Sequence, residues 1–207
     1  MFSDFSDDPT DYHAAFTAMV GPPSARARAF LKADWIKTPI GMMLAVADPM
    51  QLHLLEFFER KALPAELKRL QKLARSGIAI GRLPPIDAIE SELRAYFAGR
   101  SATFRTPMAQ PGSPFQQAVW QTLRSIPVGQ TRTYTALAHE TGRPDAVRAV
   151  ARANGANQLA ILVPCHRVLG ADGSLTGYGG GLWRKQWLID HERTMASQDA
   201  RNEGEFA

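Results

Sequence analysis

One short segment of the chain, Pro164-Cys165-His166-Arg167-Val168, holds two side chains that could do nucleophilic chemistry together. Cys165 is the only cysteine among the 207 residues, and His166 follows it directly. A thiolate is the strongest common side-chain nucleophile, and a positioned imidazole is the usual group that generates one from a thiol. A lone cysteine is, however, more often a small buried hydrophobe. From these five residues alone, both interpretations of Cys165 remain open.

Glu192 is a second candidate for the same chemistry. On a helix predicted from Leu182 to His191, its position falls between Leu188 and Ile189, on an apolar strip. It would also lie in the last turn, where the helix dipole disfavours an anion. An anion on an apolar strip and in the last turn of a helix goes against two local preferences at once. This is expected of a functional carboxylate that has a partner. The alternative is an exposed glutamate at a frayed helix end.

The elements that must position these residues divide near residues 100–113. Hydrophobic periodicity and turn residues predict the following elements before that point: strands Ile40–Val46 and Leu52–Phe58, and helices around Tyr12–Met19, Pro64–Ala74 and Pro85–Ala98. A proline-rich linker follows. The next helix begins at Ser113, a predicted N-cap, and Gln116 three residues later completes a capping box. An apolar run, residues 159–163, then leads to Cys165.

Residues 133–155 predict two short helices joined by a tight glycine turn, which is a helix-turn-helix. The first helix runs from Thr133 to Glu140, and the second from Pro144 to about Gly155. At 100° per residue, one face of the second helix is apolar and expected to be buried: Val147, Val150 and Ala151. The opposite face carries Ala149 and Ala153, and Arg148 and Arg152 lie on a flank. Such a helix could approach a nucleic-acid groove closely; an alanine-rich helix with solvated arginines is the alternative.

Composition limits the classes of protein to consider. One cysteine permits no intramolecular disulfide and no cysteine-based structural zinc site, which favours a reducing intracellular setting. Residues 1–9 are acidic and lack the features of a signal peptide, and no apolar run approaches the length needed to span a bilayer. The net charge is +4, and residues 111–193 carry nine Arg and Lys against five Asp and Glu. A basic surface beside the cysteine would suit a phosphate-bearing partner.

The segment around Cys165 resembles the active-site signature of the O6-alkylguanine-DNA alkyltransferases, also called methylated-DNA–protein-cysteine methyltransferases. The resemblance covers roughly residues 35–193 and is strongest from Phe115 onward. It implies an α+β fold: a small N-terminal sheet domain of the ribonuclease H-like kind, then a mostly helical domain with a DNA-binding helix-turn-helix. We therefore expect four parts: an N-terminal extension of unknown role (1–30), an α/β domain (31–106), a DNA-binding and alkyl-transfer domain (112–195) and a tail (196–207).

The resemblance also implies roles for individual residues. The catalytic residues would be Cys165, His166, Glu192, Asn157 and Tyr134. With the helix-turn-helix pattern, the DNA-binding residues would be Arg148, Ala149, Arg152, Ala153 and Tyr134. The pocket for the alkylated base would be lined by Val168, Tyr178, Gly179 and Ala160. Within these sets, Arg148 matches the residue that enters the base stack, Tyr134 the tyrosine near guanine N3, and Asn157 the asparagine that ties the recognition helix to the active-site turn.

The implied activity is direct-reversal DNA repair. An O6-alkylguanine, and also an O4-alkylthymine, would be flipped out of duplex DNA, and its alkyl group transferred irreversibly to Cys165 in a single turnover. Adjacent residues in an extended segment point in opposite directions, so His166 would act on Cys165 through a bridging water, with Glu192 holding the imidazole. The resemblance implies a cytoplasmic monomer acting on double-stranded DNA with alkylated guanine, away from membranes, without a cofactor or metal ion.

Two positions depart from the family pattern. Ala160 lies where some relatives have proline, and Gly179 where some have a serine that helps to bind O6, so the pocket is expected to differ in shape. Two other functions compete with alkyl transfer. A non-catalytic binder of alkylated DNA would have tryptophan in place of Cys165, and a thiol hydrolase would not need the arginine-bearing helix-turn-helix.

Overall fold

The computed structural model describes residues 9–21 and 30–204, and it shows an α+β chain that forms two compact units. The first unit takes the described residues up to Glu90 together with Thr106–Ala109. The second takes Ser91–Arg105 and the chain from Gln110 onward. The division falls within a helix, α3 (Pro84–Phe97), so that the end of α3 and the segment after it belong with the second unit.

A four-stranded sheet forms the centre of the first unit. Its strands are β1 (Leu31–Thr38), β2 (Gly41–Ala47), β3 (Leu52–Phe57) and β4 (Ile78–Ile80). They lie in the order β3-β2-β1-β4; the first three are antiparallel, and β4 is parallel to β1. The predicted strand pair and the helix after it, α2 (Leu63–Ala74), are confirmed to within one residue at each end.

Part of the N-terminal extension helps to build the core of this unit. Helix α1 (Pro9–Val20) buries Tyr12 and Phe16 against the sheet residues Leu44, Val46 and Leu54. Helix α2 packs three leucines into the same cluster: Leu63, Leu67 and Leu70. Residues 9–20 therefore have a structural role, whereas residues 1–8 and 22–29, also assigned to the extension, lie outside the described residues.

The second unit is mostly helical. After α3 it contains α4 (Pro114–Arg124), α5 (Tyr134–Glu140), α6 (Val147–Gly155) and α7 (Leu182–Gly204), with two short strands, β5 (Arg132–Thr133) and β6 (Val168–Leu169). The predicted capping box of α4 is confirmed, since the Ser113 side chain accepts from the Gln116 amide and the Gln116 side chain accepts from the Ser113 amide. Strands β5 and β6 pair in parallel, with Thr133 opposite Leu169. This pairing places the start of α5 beside the segment that follows the cysteine.

The expected end of the last helix is wrong. Helix α7 continues past His191 to Gly204, so Glu192 lies near its middle, and residues 196–204 of the assigned tail continue the helix. The argument from an unfavourable helix dipole therefore does not apply to Glu192, because the dipole acts on the terminal turns only. Glu192 does lie on a buried strip of the helix, as its position between apolar residues predicts, since it is 1% exposed.

The predicted orientation of α6 is also wrong in one respect. Its buried residues are Val150, Ala153 and Asn154, which turns the buried face by about 60° from the expected one. The Ala153 side chain therefore faces the core, and the Ala153 carbonyl accepts a hydrogen bond from Trp120 Nε1 at 2.9 Å. Arg148 and Arg152 lie at the centre of the exposed face instead of on its flank. Helices within the described ranges are all too short or too polar to cross a membrane.

Candidate active site

The cysteine sits in a tightly wound turn between α6 and β6. Ile161 has a positive φ of 73°, and around it the Leu162 amide donates to the Ala160 carbonyl at 2.9 Å. Pro164 forms a second three-residue turn, closed by the Cys165 amide donating to the Val163 carbonyl at 2.7 Å. A positive φ is costly for a β-branched residue and persists only where the surrounding structure enforces it.

Cys165, His166 and Arg167 form one turn of 3₁₀ helix, and the extended segment expected there is wrong. In such a turn, consecutive side chains leave the backbone roughly 120° apart, not on opposite sides. All three residues are buried. His166 is fully enclosed, and the Cys165 side chain retains a small exposed fraction of 8%. The turn therefore leaves Cys165 slightly accessible and encloses His166 completely.

The Asn157 side chain joins several parts of this turn by hydrogen bonds. Its Nδ2 donates to the Val163 carbonyl at 2.9 Å and to Cys165 Sγ at 3.3 Å, and its Oδ1 accepts from the Leu159 amide at 3.0 Å. Asn157 is 1% exposed, so these bonds lie away from water. A donor aimed at sulfur favours the thiolate over the thiol.

Glu192 is enclosed by three partners. Arg167 binds it with two parallel hydrogen bonds, Nε to Oε2 at 2.7 Å and Nη2 to Oε1 at 2.8 Å. His166 Nε2 lies 2.9 Å from Oε1, and the Tyr96 hydroxyl donates to the same oxygen at 2.9 Å. Arg167 is held further by its Nη1, which donates to the Ile126 carbonyl at 2.5 Å. A carboxylate that accepts this many bonds has one fixed position.

The charges in this cluster decide the state of the imidazole. Burial by itself would raise the pKa of Glu192, but the hydrogen bonds from His166 and Arg167 and the positive charge of Arg167 outweigh it and hold that pKa well below its usual range. Burial lowers the pKa of His166, and the nearby cations Arg167 and Lys185 add to this effect against the pull of Glu192. The stable pair is therefore a neutral imidazole beside an ionised carboxylate that Arg167 neutralises.

The tautomer of His166 follows from these contacts. An ionised carboxylate only accepts hydrogen bonds, so Nε2, which faces Glu192, must carry the proton. The lone pair of the neutral ring is then on Nδ1. This atom is buried and has no hydrogen-bond partner among the described residues. An unsatisfied buried acceptor directly after a cysteine is well suited to receive a proton from the thiol.

Lys185 supplies a buried positive charge to the site. Its Nζ donates to the Val168 carbonyl at 2.5 Å and to the Thr176 carbonyl at 2.6 Å, which ties the loop after β6 to the strand. Burial lowers the pKa of Lys185 to about 8, although the negative charge of a Cys165 thiolate acts in the opposite direction. The ammonium group is charged below that pH and stabilises the thiolate there.

We expect the Lys185→Met variant to lose this support for the thiolate. At neutral pH its thiol should react with iodoacetamide about tenfold more slowly, because a nearby opposite charge shifts ionisation by about one pH unit or more. The profile of alkylation rate against pH should move to higher pH. Lys37→Met, which alters an exposed lysine of β1, is the control and should give the profile of the unaltered protein. An unchanged profile in Lys185→Met would show that the lysine only ties the loop.

The structure places the expected pocket residues unequally. Val168 and Ala160 are buried, Tyr178 is half-buried with its ring 6.5 Å from the imidazole of His166, and Gly179 is exposed. Tyr134 is half-buried at the start of α5. Among the residues expected to bind DNA, Arg148 and Arg152 are exposed, Ala149 is half-buried and Ala153 is buried. The group of three or more His, Cys, Asp and Glu side chains that a metal ion needs does not occur in residues 9–21 and 30–204.

Sequence reasoning missed three residues that contact this cluster: Tyr96, Arg167 and Lys185. Lys185 precedes Glu192 by seven residues and Leu188 by three, so the same helical strip that singled out Glu192 also contains a lysine. Tyr96 follows Leu93 by three on the buried strip of α3. No sequence pattern indicates a role for Arg167, because only the tertiary structure brings its side chain to Glu192.

Comparisons with known proteins identify the family of the chain. Residues 114–194 match the family described as "6-O-methylguanine DNA methyltransferase, DNA binding domain". A methylated-DNA–protein-cysteine methyltransferase from Shigella flexneri is 42% identical over 159 residues, which cover 76% of this chain and 92% of that protein. A crystal structure of the Mycobacterium tuberculosis O6-methylguanine methyltransferase has a TM-score of 0.68 and 38% identity, over 80% of this chain and 94% of the other. A crystal structure of OGT from the same organism in complex with DNA has the same TM-score, at 37% identity over 80% and 93%. The chain belongs to the family of methylated-DNA–protein-cysteine methyltransferases, which are enzymes.

Proposed function

We propose that this protein repairs DNA by moving the alkyl group of an O6-alkylguanine onto Cys165, once per molecule. The observation that carries the proposal is the Nδ1 of a neutral His166, which is buried without a hydrogen-bond partner among the described residues, in an imidazole that Glu192 holds in the same turn as Cys165. This arrangement supplies a base for Cys165. The matched structure of Mycobacterium tuberculosis OGT in complex with DNA supports nucleic acid as the partner.

The proposed reaction begins with the thiol proton passing from Cys165 Sγ to His166 Nδ1 through a bridging water. The thiolate attacks the alkyl carbon in line with the bond to O6. The sulfur–carbon bond forms as the carbon–oxygen bond breaks, and the electron pair remains on the guanine. Tyr134 donates a hydrogen bond to the purine N3 and so stabilises the anionic leaving group. In the proposal the thioether is stable and is not cleaved afterwards, so the protein acts once.

The proposed DNA contact uses α5 and α6 as a helix-turn-helix, with α6 as the recognition helix. Its exposed face carries Arg148 and Arg152, and the half-buried Ala149 lets the backbone approach a groove. An O6-alkyl group is hidden in the duplex, and rotating the nucleotide out costs a few kcal/mol of unstacking. In the proposal, Arg148 occupies the resulting gap and offsets part of that cost.

We expect the Arg148→Ala variant to repair duplex DNA at least about tenfold more slowly, while transfer from a free alkylated base stays near its normal rate, because only the duplex requires flipping. Rates of label transfer from both substrates give the measurement. Arg152→Ala is the matched control on the same face and should mainly reduce the salt dependence of binding, as loss of a phosphate contact does. Equal losses on both substrates would remove Arg148 from this role.

Other details of the proposal depend on the resemblance together with the fold. The strand order β3-β2-β1-β4, with β4 parallel to β1, supports the ribonuclease H-like assignment of the first sheet. We extend the substrate range to O4-alkylthymine, and we assign the protein to the cytoplasm as a monomer. We also keep the division into domains at 31–106 and 112–195 as a proposal.

One experiment separates this function from its two competitors. The protein is incubated with a duplex that contains O6-methylguanine labelled in the methyl group. Alkyl transfer predicts label on Cys165 up to one methyl per protein and no further. Tight binding without label on the protein would indicate a non-catalytic binder, and neither binding nor label would favour a thiol hydrolase, which turns over on an ester or peptide.

A further inference from the structure

The phenolic oxygen of Tyr134 has two hydrogen-bonding neighbours that belong to different parts of the second unit. Asn154 Nδ2, on α6, donates to it at 3.4 Å. The side chain of Thr176, an exposed residue in the loop after β6, is the second neighbour, and its hydrogen bond favours the ionised phenol, as a bond from a donor does. The adjacent Gly177 has a φ of +55°, and a Cβ at this position would lie 3.3 Å from the Tyr134 oxygen. A side chain at residue 177 would therefore crowd the hydroxyl.

Both neighbours are themselves held in place. Asn154 is 1% exposed on the buried face of α6, and its Oδ1 is buried without a hydrogen-bond partner among the described residues. Leaving a buried acceptor unsatisfied is costly, and such costs are tolerated mainly at functional sites. The backbone of Thr176 is fixed by Lys185, whose Nζ donates to its carbonyl. Asn154 is therefore held beside Tyr134, and so is the backbone that carries the Thr176 side chain.

Two donors on one phenolic oxygen determine where its own proton points. A tyrosine hydroxyl has one proton to donate and a limited capacity to accept. When Asn154 and Thr176 occupy the acceptor positions, the O–H bond must point away from both. Tyr134 is only half-buried, so its proton can be offered to a group outside the protein.

We propose that Asn154 and Thr176 are positioning residues that direct the Tyr134 proton toward the leaving guanine and make it easier to donate. This inference rests on the proposed function and deepens it. Burial raises the pKa of Tyr134, and the charge of a Cys165 thiolate adds to that effect, whereas the bonds from Asn154 and Thr176 lower it. The hydrogen bonds of Asn154 and Thr176 thus oppose burial and the thiolate charge, both of which would make Tyr134 a poorer proton donor.

The test compares Asn154→Leu and Thr176→Val on two duplexes. One contains O6-methylguanine, and the other contains its 3-deaza analogue, in which carbon replaces the N3 acceptor. On the first duplex each variant should transfer about five- to tenfold more slowly, the effect of one lost hydrogen bond to the reacting system. On the second, the variants and the unaltered protein should react at the same, slower rate. Thr194→Val, an exposed threonine of α7, is the control and should match the unaltered protein on both.

Asn154→Asp distinguishes the direction of the hydrogen bond. A carboxylate has no proton to donate, and it would draw the Tyr134 proton toward itself, so this variant should be slower than Asn154→Leu and its phenolate should appear at higher pH. The phenolate absorbance is followed in the near ultraviolet, with Tyr134→Phe as the blank. A normal rate in Asn154→Asp would mean that Asn154 accepts from Tyr134, and the inference would be wrong.

Two further outcomes would also contradict the inference. Equal slowing of Asn154→Leu and Thr176→Val on both duplexes would assign these residues a purely structural role. Normal rates in both variants would show that Tyr134 needs no such support. Circular dichroism and thermal unfolding of each variant show whether it is folded. If the unaltered protein transfers no methyl group from O6-methylguanine, the proposed function itself fails, and that result is separate from the comparison of variants.

Discussion

Methyl transfer is expected to disappear entirely in the Cys165→Ser variant, while its binding to a duplex containing O6-methylguanine stays within about threefold of normal, because oxygen replaces sulfur with little change in volume. Serine keeps a hydroxyl where the thiol was, and Asn157 Nδ2 can still donate to it. A hydroxyl is far less acidic than a thiol, so His166 cannot generate an effective nucleophile from it. The site would recognise the lesion without reacting.

Intact mass and a binding titration together measure this result. The unaltered protein should gain the mass of one methylene when it exchanges its thiol proton for a methyl group, and the variant should gain nothing. A mass increase in Cys165→Ser would show that another residue is the nucleophile. Loss of binding together with transfer would place Cys165 in recognition as well as in chemistry.

The second large effect is expected for Glu192→Gln. Glutamine keeps the shape of the side chain but removes the charge that Arg167 neutralises and that fixes the Nε2 tautomer of His166. If the amide donates to Nε2, the ring proton moves to Nδ1, and the acceptor for the thiol proton is lost. We expect transfer at pH 7 to fall about 100-fold, the low end of what a general base contributes. The rate should partly recover as the pH approaches 9, where more of the thiol ionises without a base.

The same substitution should change stability in a defined pH range. Removing one partner of a buried ion pair costs about 3–5 kcal/mol. The pKa of Glu192 in the folded protein lies below its value of about 4.3 in the unfolded chain. Its contribution to the free energy of unfolding is therefore complete above that value and is lost as the pH falls through the folded pKa. Below about pH 4 the stability of Glu192→Gln should depend less on pH than that of the unaltered protein.

Tyr96→Phe is the matched control, since it removes a donor to the same carboxylate but leaves the charge in place. It should lower stability modestly and leave the profile of rate against pH unchanged in shape. Rates of transfer and of thiol alkylation against pH, with thermal unfolding to establish folding, decide the matter. Superimposable profiles for Glu192→Gln and the unaltered protein would show that Glu192 does not act on Cys165 through His166.

Several features of the protein could be determined from the sequence because their causes are local. The capping box at Ser113 and Gln116 needs only four consecutive residues, and the structure forms it as predicted. The strand pair β2 and β3 follows from two apolar runs around a turn. Burial of Glu192 follows from its place on an apolar strip, since an amphipathic helix must turn that strip inward. The adjacent positions of Cys165 and His166 can be read directly from the sequence.

Other features were decided only by the tertiary structure. The buried face of α6 includes Ala153 and belongs to a helix that packs against α4, whose Trp120 donates to the Ala153 carbonyl; the periodicity of α6 alone cannot fix this angle. The tautomer of His166 is set by Glu192, which is 26 residues away, and the anion of Glu192 is stabilised by Tyr96, 96 residues before it. The hydrogen bonds to Tyr134 join α5 to α6 and to the loop after β6. A sequence pattern reports whether a side chain is buried, but the atoms that it meets there depend on how distant segments pack, and those atoms set its charge and the direction of its proton.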